Sequence, residues 1–453
     1  GRIENLCLGM YRVQLGMGLI MNGGFYLGKL ATLQSMGRSA SVLRPHSSRS
    51  TEGYLQGAAA TIRLHKNWHL TAFASYRPLD ATLNKDSTAR TLYYSNYHRT
   101  TTEIAKKNNT HELNLGGSVG WRKGTLYARG NFLYTDFDRP LIPLKEKTPY
   151  RHYAAEGIRF FNMSIDYGYT NAKLYFSGET AMNQNGAFAT IHQLSYRLSH
   201  ELTLIALHRY YDKKYTALHA QSFSEGSNIQ NEHGIYSGFS WQPSNKWTFN
   251  WYADYAHFAW QRYQASMASD AFDTMLSVRT SPNKRWKMEG RYRLHIRQND
   301  NKEKTMLINK TEHRVRLRLN YDMPIGLSWQ TQFDGIAVSS IEKDKGWMIS
   351  EHAVYVWRWL QCAAHITYFH TDNYESRLYQ YERSVLYNYS SIMLYGKGIR
   401  YTAIARADIG KHLMLMAKVG VTNYFDRSKI SSGQQEVNGS SMTDIDVQMR
   451  WKF

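Results

Sequence analysis

Six arginines in two neighbouring stretches carry the clearest chemistry in this chain. Arg291, Arg293 and Arg297 share one parity in the first stretch, and Arg314, Arg316 and Arg318 share one parity in the second. Residues two apart lie on one face of a β-strand, so each set predicts a row of guanidinium groups, together a basic ladder. Such a row attracts carboxylates and phosphates and holds them through forked hydrogen bonds. The formal charge of +20 points the same way, to nucleic acid, lipopolysaccharide or an acidic solute as partner. Arg400, Arg406, Lys418, Arg450 and Lys452 extend the positive charge toward the chain end. Asp334, Asp408, Glu289, Asp254 and Asp446 are the candidate partners for it. The ladder therefore reads either as an anion-attracting conduit or as a salt-bridged interior.

Catalytic chemistry finds little footing. The chain has 18 His, but no Gly-x-Ser-x-Gly elbow, no His-Glu-x-x-His and no phosphate-binding Gly-rich loop with a Lys. His65 with His69, and His365 with His370, read as wall residues and not as metal ligands. The Glu-His neighbours at Glu112, Glu232 and Glu351 are what this composition produces by chance. Cys7 and Cys362 are the only cysteines, too few for a disulfide scaffold or a four-cysteine zinc site. The chain reads as a non-enzyme without catalytic residues, metal or cofactor.

The elements that must position the ladder are strands. Trp286, Met288, Tyr292, Leu294 and Ile296 alternate with the first arginine row, and Val315, Leu317, Leu319 and Tyr321 with the second. Trp247 to Tyr255 and Leu413 to Val421 repeat the pattern. At the end of the chain Ile445, Val447, Met449, Trp451 and Phe453 alternate with Asp446, Gln448, Arg450 and Lys452. One apolar row and one charged row on opposite faces suit a strand with lipid on one side. The aromatic end, Trp451 and Phe453, resembles the closing-strand signal of bacterial outer-membrane barrels. No window holds the roughly 20 apolar residues of a membrane-spanning helix, while 34 Tyr and 12 Trp suit interfacial girdles.

Tight-turn chemistry falls near Asn67, Gly124, Asn171, Ser199, Asn245, Asn283, Gly326, Trp359 and Gly410. Longer polar connections lie near 22–51, 79–109, 136–157, 214–232, 259–269, 298–308, 340–346, 372–397 and 425–440, with a tight one at Asn185-Gly186. Short and long connections thus alternate, as in a transmembrane antiparallel barrel with short periplasmic turns and long outer loops; the pattern predicts about 20 strands (18–22). The expected fold is all-β, one barrel domain over residues 1–453, located in the bacterial outer membrane. Thr100 to Asn109 starts with a capping residue and carries Glu103 three positions on, which predicts a short helix inside an outer loop. Gly9, Gly16, Gly18, Gly23 and Gly24 mark bulges or close backbone approaches. The run from Ser39 to Tyr54, with Arg44-Pro45 and Arg49, reads as a lumen constriction or as a plain outer loop. The chain starts at Gly1 without a signal segment, so it looks processed or truncated, with an upstream periplasmic domain missing.

Several stretches resemble the carboxy-terminal barrel of Bacteroidota outer-membrane proteins labelled as helix-hairpin-helix, competence-type proteins. They are Tyr11 to Leu19 (YRVQLGMGL), Leu43-Arg44-Pro45, Gly57 to Thr61, and Tyr97-His98-Arg99-Thr100 through Glu103, Lys106 and Asn108. Glu225-Gly226-Ser227 with Gln230-Asn231-Glu232, and Tyr381-Glu382 through Leu386-Tyr387 and Tyr395-Gly396, belong to the same set. The likeness implies a barrel and attaches no chemistry to these motifs. The helix-hairpin-helix segment is absent, so DNA binding is not carried onto any residue.

Taken together, the expected function is a channel or transporter with a basic lumen for an anionic solute or polymer, DNA included. The alternative is an assembly or partner-docking component of an outer-membrane complex, and an outer-membrane enzyme ranks below both. The expected partners are lipid and lipopolysaccharide, the barrel-insertion machinery and other outer-membrane proteins, with nucleic acid as a further candidate.

Overall fold

In Ser441–Trp451, the last strand, Ile445, Val447 and Met449 are 67%, 78% and 70% exposed. An uncharged row that open would be anomalous in water and is the expected outer row of a wall that faces lipid. The computed structural model describes residues 2–24, 28–35, 42–47, 53–95, 97–388 and 390–452. Trp451 is exposed with this row; Phe453 lies outside the described residues, as does Arg49. The strand pairs antiparallel with Leu413–Tyr424, setting Lys418 opposite Asp446 and Ala417 opposite Val447. A one-residue slip would turn every charged side chain to lipid, so the alternation itself holds the register.

The same rule builds the rest. Among the described residues the main sheet holds 22 strands, of which Leu43–Pro45 and Ala89–Tyr93 are short additions. The others are long wall strands, and the chain is an all-β, antiparallel, strand-rich barrel of the outer-membrane type. Nine tight turns among the described residues join wall strands at the predicted places, for example between Lys123 and Leu126 through Gly124 at φ 58°. Alternate connections are mostly long. Two of those expected to be long are short, because the strands run on to Asp300 and start again at Leu307 and Lys343. Ser339 still faces Lys343 in register, and Ser340 N donates to Glu342 O at 3.0 Å. Polar residues beyond the apolar band keep their ladder pairing, so polarity alone does not mark a loop.

Two compact units divide the chain. The first comprises residues 1–240, 252–272 and 298–307, and the second 241–251, 273–297 and 308–453. In the first, Ile3–Val13 pairs with Leu55–His65, and the wall continues strand by strand to Leu202–Tyr211. Between those first two strands, Leu15, Leu19, Ile20 and Met21 are buried. In the second, neighbours in sequence pair from Leu307–Asp322 to Leu360–Thr371; Lys397–Ile409 then follows, and the wall ends at Ser441–Trp451. The connection skipped there forms its own hairpin, Leu378–Glu382 with Ser390–Leu394. Its Leu378 and Leu394 pack with Ile336, Met348 and Phe369, the apolar members of the wall's inner rows. The short helix of the outer loop is Thr101–Ile104, with Glu103 N donating to Thr100 Oγ1 at 3.2 Å.

Candidate functional site

On Trp286–Asp300 and Leu307–Asp322 the apolar members face out, with Tyr292 and Leu317 exposed. The arginines therefore occupy the inner face. Each ladder arginine from Arg291 to Arg318, apart from Arg297, stands beside a carboxylate. Arg293 holds Asp273 through two bonds of 2.8 and 2.7 Å, and Arg316 Nε is 2.6 Å from Asp334. Arg314 reaches Glu312 at 3.1 Å, Arg318 reaches Glu289 at 3.4 Å, and Arg291 pairs with Glu289. Glu289 takes Arg279 as well, at 3.1 Å, so one buried carboxylate serves three guanidinium groups. The side chains of these five arginines are 26–34% exposed. The guanidinium side of each pair keeps water and part of its positive field, while Asp273, Asp334 and Glu289 are buried, so these pairs lie between an exposed pair, worth about 0–1 kcal/mol, and a fully buried one. Arg297 is exposed on the same strand.

Toward the chain end the positive charge is handled differently. Arg400 and Lys418 are buried, at 1% and 2% exposure. Glu382, at the end of the loop hairpin's first strand, accepts from Arg400 at 2.5 and 3.0 Å and lies 3.3 Å from Lys418 Nζ. Thr402 donates to it at 3.1 Å, and Arg400 also bonds Asp444 at 2.9 Å. Burial alone would raise the Glu382 carboxyl, but the Arg400 hydrogen bonds and charge outweigh it and hold the group below the usual carboxylate range. These cations clamp a loop to the wall and add little to the open ladder, contrary to the expectation that they extend it. Arg406 pairs with Asp408 at 2.8 Å.

Between ladder and hairpin lies a cavity of about 520 Å³. Arg316, Arg318, Lys287 and Arg383 line it, with His352, His365, Gln380 and Ser350. His365 and Gln380 are joined by a 2.6 Å contact, which ties the loop hairpin to the wall strand Leu360–Thr371.

The first unit fills its inner face with a different set. Arg209, fully buried, forks onto Asp254 at 2.6 and 3.1 Å and pairs with Glu232. Lys29 reaches Asp254 at 2.6 Å and Glu225 at 2.5 Å. Glu232 also accepts from the backbone of Glu225 and Gly226, both at 2.8 Å, which pins the 212–231 connection. Glu179 is buried and accepts from Met17 N at 2.6 Å and Leu19 N at 3.2 Å. Gly16 and Gly18 sit at φ 54° and 91°, and a Cβ on Gly18 would stand 2.2 Å from Gln221 O. The glycines mark a close backbone approach, as their spacing predicts.

The motifs singled out by resemblance are mostly parts of these clamps. Asn231 exchanges hydrogen bonds of 2.9 and 2.8 Å with Trp260, and Gln230 bonds Tyr153 O and Lys213 O, each at 2.8 Å. His98 lies 2.6 Å from Asp80. Sequence reasoning did not reach Lys29, Gln380 or Ser350 and took His352 as a chance neighbour of Glu351; the Glu-Gly-Ser and Tyr-Glu motifs were the available signal for the loops involved. Of the histidine pairs, His69 is 3.4 Å from Glu4 and His370 stacks on Trp347. Among the described residues no group of three or more His, Cys, Asp or Glu is placed to hold a metal ion. No helix of the described residues is long and apolar enough to cross a membrane.

Solved structures resemble the chain only distantly. The FrpB iron transporter from Neisseria meningitidis (F3-3 variant) gives a TM-score of 0.45 at 9% identity, over 89% of this chain and 72% of that one. The siderophore receptor PirA from Acinetobacter baumannii gives 0.45 at 9%, over 93% and 73%. P. aeruginosa FpvA bound to heterologous pyoverdines gives 0.44 at 10%, over 91% and 66%. No protein-family model matches the chain and no curated protein matches it.

Proposed function

We propose that this protein is an outer-membrane barrel that passes small anionic solutes along the basic inner face of its second unit. The observation that carries the reading is the half-hydrated ladder, Arg291, Arg293, Arg314, Arg316 and Arg318, opposite an exposed apolar row. Arginines whose carboxylates are shared, as three share Glu289, leave a net positive potential on the wall, and a charged lining enriches the opposite ion. Lipid and lipopolysaccharide surround the outer row in this reading, and the insertion machinery reads the aromatic closing strand at Trp451. Nucleic acid, as a polymeric anion, would be drawn to the same lining by charge alone. The reversal potential of the reconstituted chain under a salt gradient tests the proposal. Anion preference at low salt, weakening as salt screens the wall, is the expected result.

A second reading, a docking or assembly component, is favoured by the loop clamps. Glu179 and Glu382 hold covering segments on the inner faces, and a covered face needs no traffic. Absence of any conductance from correctly folded protein selects it.

A further inference from the structure

The cavity beside the ladder has a feature that a plain anion path does not explain. Ser350 Oγ and Gln380 Oε1 are buried without a hydrogen-bond partner, in residues only 3% and 2% exposed, and both residues line the cavity. A buried polar atom left unpaired costs about 1–3 kcal/mol, so two around one cavity, Ser350 from the wall and Gln380 from the loop hairpin, mark a place for a polar occupant. Their chemistry narrows what that is. Gln380 Oε1 is an acceptor and needs a donor, which neither an ionised carboxylate nor a fully ionised phosphate ester supplies. Ser350 Oγ both gives and takes. A hydroxyl group satisfies each, while the guanidinium groups of Arg316 and Arg318 on the same lining suit an acid. The volume of about 520 Å³ is within the range of small-molecule sites and takes a monosaccharide with its water.

We infer that this cavity is a binding site for a hydroxylated small anion, a sugar acid or sugar phosphate. Arg316 and Arg318 take its charge, and Ser350 and Gln380 take its hydroxyls. The inference rests on the anion-attracting reading of the second unit's inner face and names the solute class for it. Gln380 belongs to the loop hairpin and also bonds His365, so an occupant would bridge loop and wall.

Titration calorimetry on the detergent-purified full chain tests it, with glucuronate, glucose 6-phosphate, glucose and propionate as probes. Glucuronate, glucose 6-phosphate or both should bind at least about tenfold more tightly than glucose or propionate, the ratio that one lost charged or hydroxyl contact produces. The two acids compared with each other tell carboxylate from phosphate. Ser350→Ala and Gln380→Leu should each bring the favoured acid toward the affinity of propionate, and Arg318→Gln should weaken both acids. Equal binding of glucose and the sugar acids, equal binding of propionate, no binding at millimolar concentration, or unchanged affinity in both Ser350→Ala and Gln380→Leu overturns the site. Ion selectivity of the same preparation separates the two proposals. Anion preference without sugar-acid binding leaves the conduit and removes the site; sugar-acid binding without conductance does the reverse.

Discussion

The two units place the same residue types on their inner faces and use them for different ends. In the first, Arg209 is fully buried, sharing Asp254 and Glu232 with Lys29 and a pinned loop. In the second, the ladder arginines keep about a third of their surface and sit beside a cavity. A desolvated ion pair must be nearly complete, since any charge left over costs several kcal/mol. A half-hydrated one tolerates imbalance, and imbalance is what gives a wall its field. Burial thus fits the first unit's network to holding loops in place, and the proposed function gives the second unit's ladder the handling of charge.

The comparison is most easily broken at its stiff end. Arg209→Met should destabilise the barrel by about 3–5 kcal/mol, because Glu232 and Asp254 stay buried without their guanidinium. Urea titration of the detergent-solubilised protein measures this, and a loss below about 1 kcal/mol would place the network with surface pairs. The second unit has one clamp of the same kind, and Glu382→Gln should release the hairpin at a cost of about 3 kcal/mol. Limited proteolysis should then cut within residues 383–388 faster than in the wild type. Acid should do the same. A carboxyl lowered in the folded state stabilises above its unfolded value and loses that contribution as pH falls through the lowered one. Hairpin protection should therefore be flat from pH 8 to about 5 and fail only below the usual carboxylate range of about 4.

Gly18→Ala should come next, at about 1–3 kcal/mol. Its φ of 91° strains an alanine, and the added Cβ meets Gln221 O at 2.2 Å. The expected readout is faster proteolysis of the amino-terminal segment with the closing strands intact. The smallest effect per residue should follow Arg314→Gln, Arg316→Gln and Arg318→Gln, about 1 kcal/mol each, because glutamine keeps a donor beside the carboxylate and Glu289 keeps Arg279 and Arg291. That set would sharpen the contrast with Arg209: one buried arginine should matter more to folding than any one on the ladder.

Period-two alternation made the wall legible, since lipid on one face leaves no freedom about which residues point out. Ile445, Val447 and Met449 needed no tertiary information. The turns at Gly124 and Gly326 were legible for a local reason, their positive φ. The loops were not. Lys29 meets Asp254 across more than two hundred residues, and no spacing rule connects a helix after the first strand to a carboxylate in the middle of the wall. Glu382 and Gln380 sit in a hairpin whose alternating stretch is too short to separate from loop composition. The motif Glu225-Gly226-Ser227 announced that the loop mattered without saying that Glu232 would pin its backbone. The ladder was visible as a row, but its sharing of Glu289 was not, because register between strands decides which carboxylate each arginine meets.

The most direct test of the division of labour is the reversal potential of planar bilayers holding wild type or the triple Arg314→Gln, Arg316→Gln, Arg318→Gln protein. Wild type should favour anions at low salt, with the preference falling as salt rises, and the triple variant should lose most of it while folding normally. No conductance from folded wild type, or equal selectivity in the two proteins, would contradict the account.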